Sequence, residues 1–377
     1  MAAAKLPPGV EKISEARYRG RYYGPDGRRH STAIYTTPHE AAYARGAAIS
    51  DIQAGRWLDP QRSNITVEQW FQLWMPTRLH GGGKGKAVRP YVLDKDWARY
   101  RNHIEPWLGR RTLPAVTRFT VETWHADLAA AGRKPPTIEK AHTLLQTALA
   151  RALDDDRISR NPAAQTAPVK AEKPRWQLLT RPEFARLLGE IDERYRALLL
   201  VAPYSGLRWS EIVALTRADY NPLRGELTVN KSTVYHKGKL IDGPTKSGRE
   251  RVIPGLRDDV VAALNAHIER EQMAPGGRLF TSPEGYVLIH PHFMNRIYKP
   301  ACVRAGLGTY TPGNKAQRYE GVRFHDLRHS FVSWLLADGV PIHLVQQLAG
   351  HASITTTQRY AQTNRDELRE AMRRALG

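Results

Sequence analysis

His325-Asp326-Leu327-Arg328-His329, then Leu348-Ala349-Gly350-His351-Ala352-Ser353, then Gln358-Arg359-Tyr360: the reading of this chain turns on this run of segments. Taken as a helix, the first segment puts His325, Arg328 and His329 on one face at i, i+3 and i+4. Gly350 is placed to end a helix, and Tyr360 lies nine residues beyond His351, among several threonines and few large apolar residues. Each feature has a plain alternative. Two histidines four apart can bind zinc, but Asp326 stands where a metalloprotease helix has glutamate, and no further ligand is evident nearby. A lone tyrosine in such a segment is ordinarily a packing residue.

Two upstream segments change the balance. In Ser205-Gly206-Leu207-Arg208-Trp209-Ser210-Glu211-Ile212, glycine and then arginine at an expected helix start put a guanidinium where an anion could sit. The backbone N–H groups and dipole of that end would favour the same anion. In Thr245-Lys246-Ser247-Gly248-Arg249-Glu250-Arg251, Ser-Gly predicts a hairpin turn with Lys246 at its edge. Taken singly, these are a solvated helix face and a surface lysine. Taken together, two arginines, a lysine, two or three histidines and a tyrosine suit phosphoryl transfer without a metal. Guanidiniums would hold the non-bridging oxygens and stabilise their charge in the transition state. A tyrosine, with a free pKa of about 10, needs nearby cations or a histidine base. The leaving oxygen needs an acid, for which Lys246 is the natural candidate.

This set resembles the tyrosine recombinase (phage integrase) family, whose catalytic domain carries Arg, Lys, His-x-x-Arg, His/Trp and Tyr in this order. The resemblance implies Arg208, Lys246, His325, Arg328 and His351 as catalytic residues, with Tyr360 as nucleophile. Glu211 matches a supporting acid and His329 a frequent extra histidine; either His325 or His351 could act as base. It extends to Tyr100-Arg101-Asn102-His103-Ile104-Glu105-Pro106-Trp107-Leu108-Gly109 and Ile158-Ser159-Arg160-Asn161-Pro162, which look like parts of the family's helical core-DNA-binding domain. More loosely, the first 60 residues look like an arm-site DNA-binding module. The implied enzyme is a site-specific recombinase working through a 3′-phosphotyrosyl link and a Holliday junction to integrate or excise a phage or mobile element. It would need neither cofactor nor metal. Four protomers would act on two duplexes, with accessory DNA-bending proteins as possible partners. The helical and catalytic domains would form a C-shaped clamp on DNA.

The rest of the chain fits a multidomain, mainly α protein with small β elements. Its 377 residues correspond to two or three domains of roughly 100–200 residues. Residues 1 to about 60 read as a β-sheet plus helix module. Arg17 to Tyr23 alternates basic and aromatic residues, Gly24-Pro25-Asp26-Gly27 turns, and Arg28 to Tyr35 returns as a second strand. A helix follows from Pro38 to Ala54. Arg17, Arg19 and Arg21 are candidate DNA contacts, set against an ordinary solvated sheet face. Residues 64 to about 165 read as a helical domain. Val67, Trp70, Phe71 and Trp74 share one face; Leu93, Trp97, Tyr100 and Ile104 another; Val121, Trp124 and Leu128 mark a third helix, and Thr137 to Leu153 is a fourth. Its tryptophans read as core rather than base-stacking groups. The flexible loop Gly81 to Lys86 offers Lys84 and Lys86 to DNA. Ala163 to Arg175 reads as a linker, and residues 176 to 377 as the catalytic domain. That domain has strands at Gly225 to Asn230, Ser232 to Ile241 and Arg249 to Pro254, a polar loop at Tyr310 to Gly321, and an amphipathic tail helix at Asp366 to Leu376. The tail would pack either on a neighbouring protomer or in cis.

Composition agrees. With 41% hydrophobic and 25% charged residues the chain is globular rather than disordered. A net charge of +20 costs self-repulsion and points to a polyanion, double-stranded DNA before a membrane surface. The single cysteine, Cys302, reads as a small buried apolar residue and suits a reducing compartment. No signal peptide or membrane span is evident, so a cytoplasmic, nucleoid-associated protein is expected. Three rivals stay open: a type IB topoisomerase with the same chemistry, a DNA-binding protein with a decayed site, and a zinc hydrolase built on His325 and His329.

Overall fold

The structure, a computed structural model, describes residues 6–55, 57–81, 87–170, 176–245, 248, 250–313 and 318–361. Lys84, Lys86, Lys246 and the tail from Asp366 to Leu376 lie outside the described residues. The chain divides into two compact units, Met1–Lys173 and Pro174–Gly377. The architecture is mainly helical with small sheets.

The first unit opens with a three-stranded antiparallel sheet, β1 (Val10–Ser14), β2 (Arg17–Tyr23) and β3 (Arg29–Ser31), ordered β1-β2-β3. The two-stranded hairpin expected from the sequence thus gains β1 on its other edge. The return strand is shorter than Arg28 to Tyr35, although Tyr35 still bridges to Tyr18. The helix α1 (Pro38–Gln53) packs on β2 and starts at a capping box between Thr37 and Glu40, which satisfies N–H groups that the first turn leaves orphaned.

Four longer helices follow: α2 (Val67–Thr77), α3 (Pro90–His103), α4 (Arg118–Ala130) and α5 (Pro135–Asp154). They share one core in which Phe71, Tyr100, Ile104 and Leu128 are fully buried. The face predicted by the Val67, Trp70, Phe71, Trp74 spacing is the buried one. Leu93 and Trp97 pack on this core from its margin. The buried indoles find acceptors: Trp70 Nε1 donates to Ala148 O and Trp124 Nε1 to His103 O, both at 2.8 Å.

The second unit contains α6 (Arg181–Glu190), α7 (Glu193–Ser205) and the single turn α8 (Trp209–Ile212). A three-stranded sheet follows, β4 (Tyr220–Asn221), β5 (Glu226–Val229) and β8 (Arg251–Ile253), ordered β4-β5-β8. Between its last two strands lies a separate hairpin, β6 (Lys231–His236) and β7 (Lys239–Pro244). The single strand expected over Ser232 to Ile241 is therefore two. Lys237 and Gly238 both take positive φ, 49° and 78°, as the tight two-residue hairpin turn requires. Helices α9 (Asp258–Arg270) and α10 (Lys299–Arg304) complete the main core with α7. Tyr310 to Gly321, expected as a loop, instead carries a hairpin of β9 (Gly308–Thr311) and β10 (Arg318–Gly321), in which Tyr310 faces Tyr319. The unit closes with α11 (Phe324–Ala337), α12 (Ile342–Ala349) and α13 (Ile354–Ala361) around a second, smaller core. Cys302 is fully buried. No helix among the described residues is long and apolar enough to cross a membrane.

Candidate active site

The site is assembled where α7 ends. Gly206 takes the left-handed conformation (φ 64°), and a Cβ there would meet the Phe331 ring at 2.3 Å, so both backbone and space call for glycine. The reversal delivers Arg208 in extended geometry before α8. Its backbone N–H donates to Glu211 Oε2 at 3.0 Å and its Nη1 to Glu211 Oε1 at 2.9 Å. The anion cradle expected at this helix start is thus corrected: α8 is one turn long, and its capping N–H is held by the chain's own carboxylate.

Glu211 is 1% exposed and carries a second guanidinium. Arg251, on β8, donates from Nη2 to Glu211 Oε2 at 2.7 Å. Burial alone would raise the Glu211 pKa, but the hydrogen bond and charge of Arg251, with those of Arg208, hold it below the usual carboxylate value. Arg208 Nη2 also reaches Gly350 O at 3.4 Å. Gly350 ends α12 with φ 63°, and a Cβ there would meet the Arg251 guanidinium at 3.1 Å. The turn carrying His351 is therefore packed directly on the arginine pair.

Arg328 projects from α11 and is 3% exposed. Its Nη1 donates to Gly206 O, while Nη2 finds no partner among the described residues. Burial, aided by Arg208 and opposed by Glu211, pushes its pKa down to about 9. A buried guanidinium with a free donor beside two others is costly unless an anion completes it.

The next residue, His329, is hydrogen-bonded through Nδ1 to the Tyr360 hydroxyl. With its proton on Nε2, this imidazole accepts from that hydroxyl. Burial, then the charges of His325 and Arg328, lower the His329 pKa to about 3. Tyr360, on α13, is 6% exposed, and burial pushes its hydroxyl up to about 12 despite the opposing charges of Arg328 and Arg359. His351 donates to or accepts from Thr357 Oγ1 at 2.9 Å through Nδ1. Its ring lies parallel to that of Tyr360 with centroids 6.3 Å apart, and burial plus Arg328 lower its pKa to about 4. His325 is exposed at the margin, its ring 4.8 Å from that of His329.

Arg208, Glu211, His325, Arg328, His329, His351 and Tyr360, far apart in sequence, thus meet in one corner. His329 meets the tyrosine hydroxyl; of the two histidines weighed as bases, His351 reaches only its ring and His325 stands off. Gly248 N–H donates to Thr245 O at 3.0 Å, and β7 and β8 pair with different neighbours; the hairpin turn expected there, with Lys246 at its edge, lies largely outside the described residues. Among the described residues no group of three or more His, Cys, Asp or Glu side chains is placed to hold a metal.

Sequence reasoning missed two members of this corner. Arg251 was indistinguishable from the other basic residues of its segment. Trp176 lies one residue past the expected linker, yet its ring stacks on Tyr360 at 4.3 Å and on His329 at 4.7 Å.

A nearly buried tyrosine bonded to one histidine and beside a second, in a corner that gathers three guanidiniums, on this fold, defines a tyrosine recombinase. The Phage integrase family model matches residues 177–367, and the chain belongs to that family. It is 29% identical over 254 residues to the tyrosine recombinase XerD of Caulobacter vibrioides, covering 64% of this chain and 75% of that one. It is 24% identical to a putative prophage phiRv2 integrase of Mycobacterium tuberculosis, over 96% of this chain and 92% of the relative. The fold matches that of the Tn1549 transposon integrase in complex with transposon right end DNA, with a TM-score of 0.68 at 20% identity, covering 83% of this chain and all of that one.

Proposed function

We propose that this recombinase cuts and rejoins double-stranded DNA at defined sites through a 3′-phosphotyrosyl bond to Tyr360, and that it integrates or excises a mobile element. The observation that carries the reading is one corner in which the Tyr360 hydroxyl meets His329, the His351 ring lies beside that of Tyr360, and Arg208 and Arg328 are held on the Gly350 and Gly206 carbonyls. Arg208 and Arg328 hold the non-bridging oxygens of the scissile phosphate; the free Nη2 of Arg328 is a donor awaiting such an oxygen. Charge built up on those oxygens is met by fixed cations. Arg251 keeps Glu211 ionised and Glu211 fixes Arg208, so the guanidinium is oriented before DNA arrives.

Tyr360 Oη bonds to phosphorus as the P–O5′ bond breaks. The tyrosine proton passes to a histidine, and Lys246 supplies a proton to the leaving 5′-oxygen. In the second step a 5′-hydroxyl of the partner duplex attacks the phosphotyrosine, and the proton movements reverse. One ester replaces another, so ATP is not required. Exchange of two duplexes breaks four strands, and each chain has one nucleophile, so four protomers act, passing through a Holliday junction as strands are cut in pairs.

The chain has three working parts in this reading: residues 1–60 bind arm-type DNA, 64–165 bind core DNA, and 176–377 carry the chemistry. Arg17, Arg19 and Arg21 lie on one face of β2. Arg19 and Arg21 both pair with Glu11, at 2.9 and 2.8 Å, while Arg17 is exposed. Phosphates would compete with Glu11 for the first two. Lys84 and Lys86 supply further charge, and binding weakens steeply with salt.

A nicked suicide duplex taken from the flanks of the encoding element, incubated with the protein in chelator, tests the chemistry. An SDS-resistant protein–DNA band in wild type but not in Tyr360→Phe is the expected result. A band in both would mean another nucleophile. Salt-sensitive binding without a band in either, across a wide set of flanking sites, would leave a DNA-binding protein.

A further inference from the structure

Tyr360 must bring its hydroxyl oxygen to within about 3–3.5 Å of phosphorus for in-line attack. A phosphodiester is wide, carrying two non-bridging oxygens and two sugars, and cannot reach a side chain only 6% exposed. Something therefore covers this residue, and the described contacts show what does. The Trp176 indole lies nearly parallel to the Tyr360 ring, 22° off at 4.3 Å, and to the His329 ring, 18° off at 4.7 Å. The Arg359 guanidinium lies 4.9 Å from the same indole.

The cover is anchored close by. Three residues on, Leu179 N–H donates to Ser330 Oγ at 2.9 Å, and Trp334 Nε1 donates to Leu179 O at 2.8 Å. Both partners sit on α11, the helix that carries Arg328 and His329. Trp176 itself is half-buried and lies ahead of the anchor, three positions after the last residue of the first unit.

We propose that Trp176 is a positioning residue that covers the nucleophile, holding the Tyr360 ring against His329 until the indole moves off and DNA can be attacked. The acid–base state of the corner agrees. A hydroxyl pushed up to about 12 against an imidazole pushed down to about 3 gives up no proton in this arrangement. The inference rests on Tyr360 being the nucleophile, but the cover can be measured without any recombination.

The test is nitration of the full-length protein by tetranitromethane, followed on the tryptic peptide Tyr360 to Arg365, with the exposed Tyr286 as internal standard. In wild type Tyr360 is expected to react far more slowly than Tyr286. In Trp176→Ala its rate rises severalfold, with a ceiling of about tenfold set by the ratio of the 74% exposure of Tyr286 to the 6% of Tyr360, while Tyr286 is unchanged. Trp176→Phe, which keeps an aromatic plate, restores most of the protection. On the nicked duplex, Trp176→Ala forms covalent adduct faster than wild type. Equal nitration of Tyr360 in wild type and Trp176→Ala overturns the proposal. So does a Trp176→Ala protein with wild-type circular dichroism and DNA binding that loses the adduct while Trp176→Phe keeps it, since the indole would then support attack. If wild type forms no adduct, the recombinase chemistry of Tyr360 fails, and the nitration rates still decide the cover.

Discussion

Phe71, Tyr100 and Trp124 in the first unit, and Glu211, Arg328 and Tyr360 in the second, are all nearly inaccessible to water, between 0 and 6% exposed. The two groups are held there for opposite reasons. Phe71 stacks on Tyr100 at 4.3 Å and Trp124 spends its one donor on a carbonyl, so burial there is driven by apolar area, and the polar atom it leaves without a partner, the Tyr100 hydroxyl, is a neutral one. Around Arg328 the buried groups are ions and bases. Their pKa values are displaced by burial and by one another, and an arginine donor is left open. A core of the first kind stabilises the chain. The second kind draws on that stability to keep charges where an anion will need them.

The contrast is broken most severely by Arg328→Met, which fills similar volume without charge. Adduct formation on the nicked duplex should fall by about 10³-fold or more, while the melting temperature holds or rises, because the buried charge is gone. A large fall in melting temperature would show that Arg328 is a structural ion like any other. Trp124→Ala should do the reverse. Loss of a buried indole costs about 3–5 kcal/mol, visible as a lower denaturant midpoint, and the adduct rate of the protein that remains folded should not change.

Glu211→Gln sharpens the comparison, because Glu211 belongs to both categories. It is fully buried like a core residue but bonds two arginines. The amide removes the charge that both guanidiniums face, and its –NH2 stands where a carboxylate oxygen accepted, so about 3 kcal/mol of stability should go, with a smaller loss of adduct rate than Arg328→Met produces. A wild-type adduct rate despite the loss of stability would mean that Arg208 is fixed by something else.

The same contrast decides what could be read in advance. The faces of α2 and α3 follow from spacing alone, since Val67, Trp70, Phe71 and Trp74 can share a face in only one way. The residues around Arg328 were legible through the order of their segments, although periodicity said nothing about which of them would touch. Arg251 and Trp176 were not legible: a strand of three residues and a linker margin have no period, and their roles come from tertiary contact with Glu211 and Tyr360. The β6–β7 turn was hidden because Lys237 takes a positive φ without the Asn-Gly or Asp-Gly signal. The β1 strand was masked by a register shift between Lys12 and Ser14, which spoils its alternation.

The smallest effect concerns a place where the first unit resembles the second. His125 Nε2 and His142 Nδ1 lie 3.0 Å apart between α4 and α5. Burial and the neighbouring His142 lower the His125 pKa to about 4. In the unfolded chain that ring titrates near 6.5. Between those values the unfolded state binds a proton that the folded state does not, so stability is complete above about 6.5 and is lost as the pH falls toward 4. His329 and His351, also depressed, push the second unit in the same direction over the same window. Acid should therefore lower the denaturant midpoint of both units. His125→Asn, which cannot titrate, should flatten the fall by about 1–2 kcal/mol at pH 5 without altering the adduct rate at neutral pH. A His125→Asn protein with an unchanged pH slope would mean that other depressed histidines, His142 and His267 as well as His329 and His351 around Tyr360, carry the acid sensitivity.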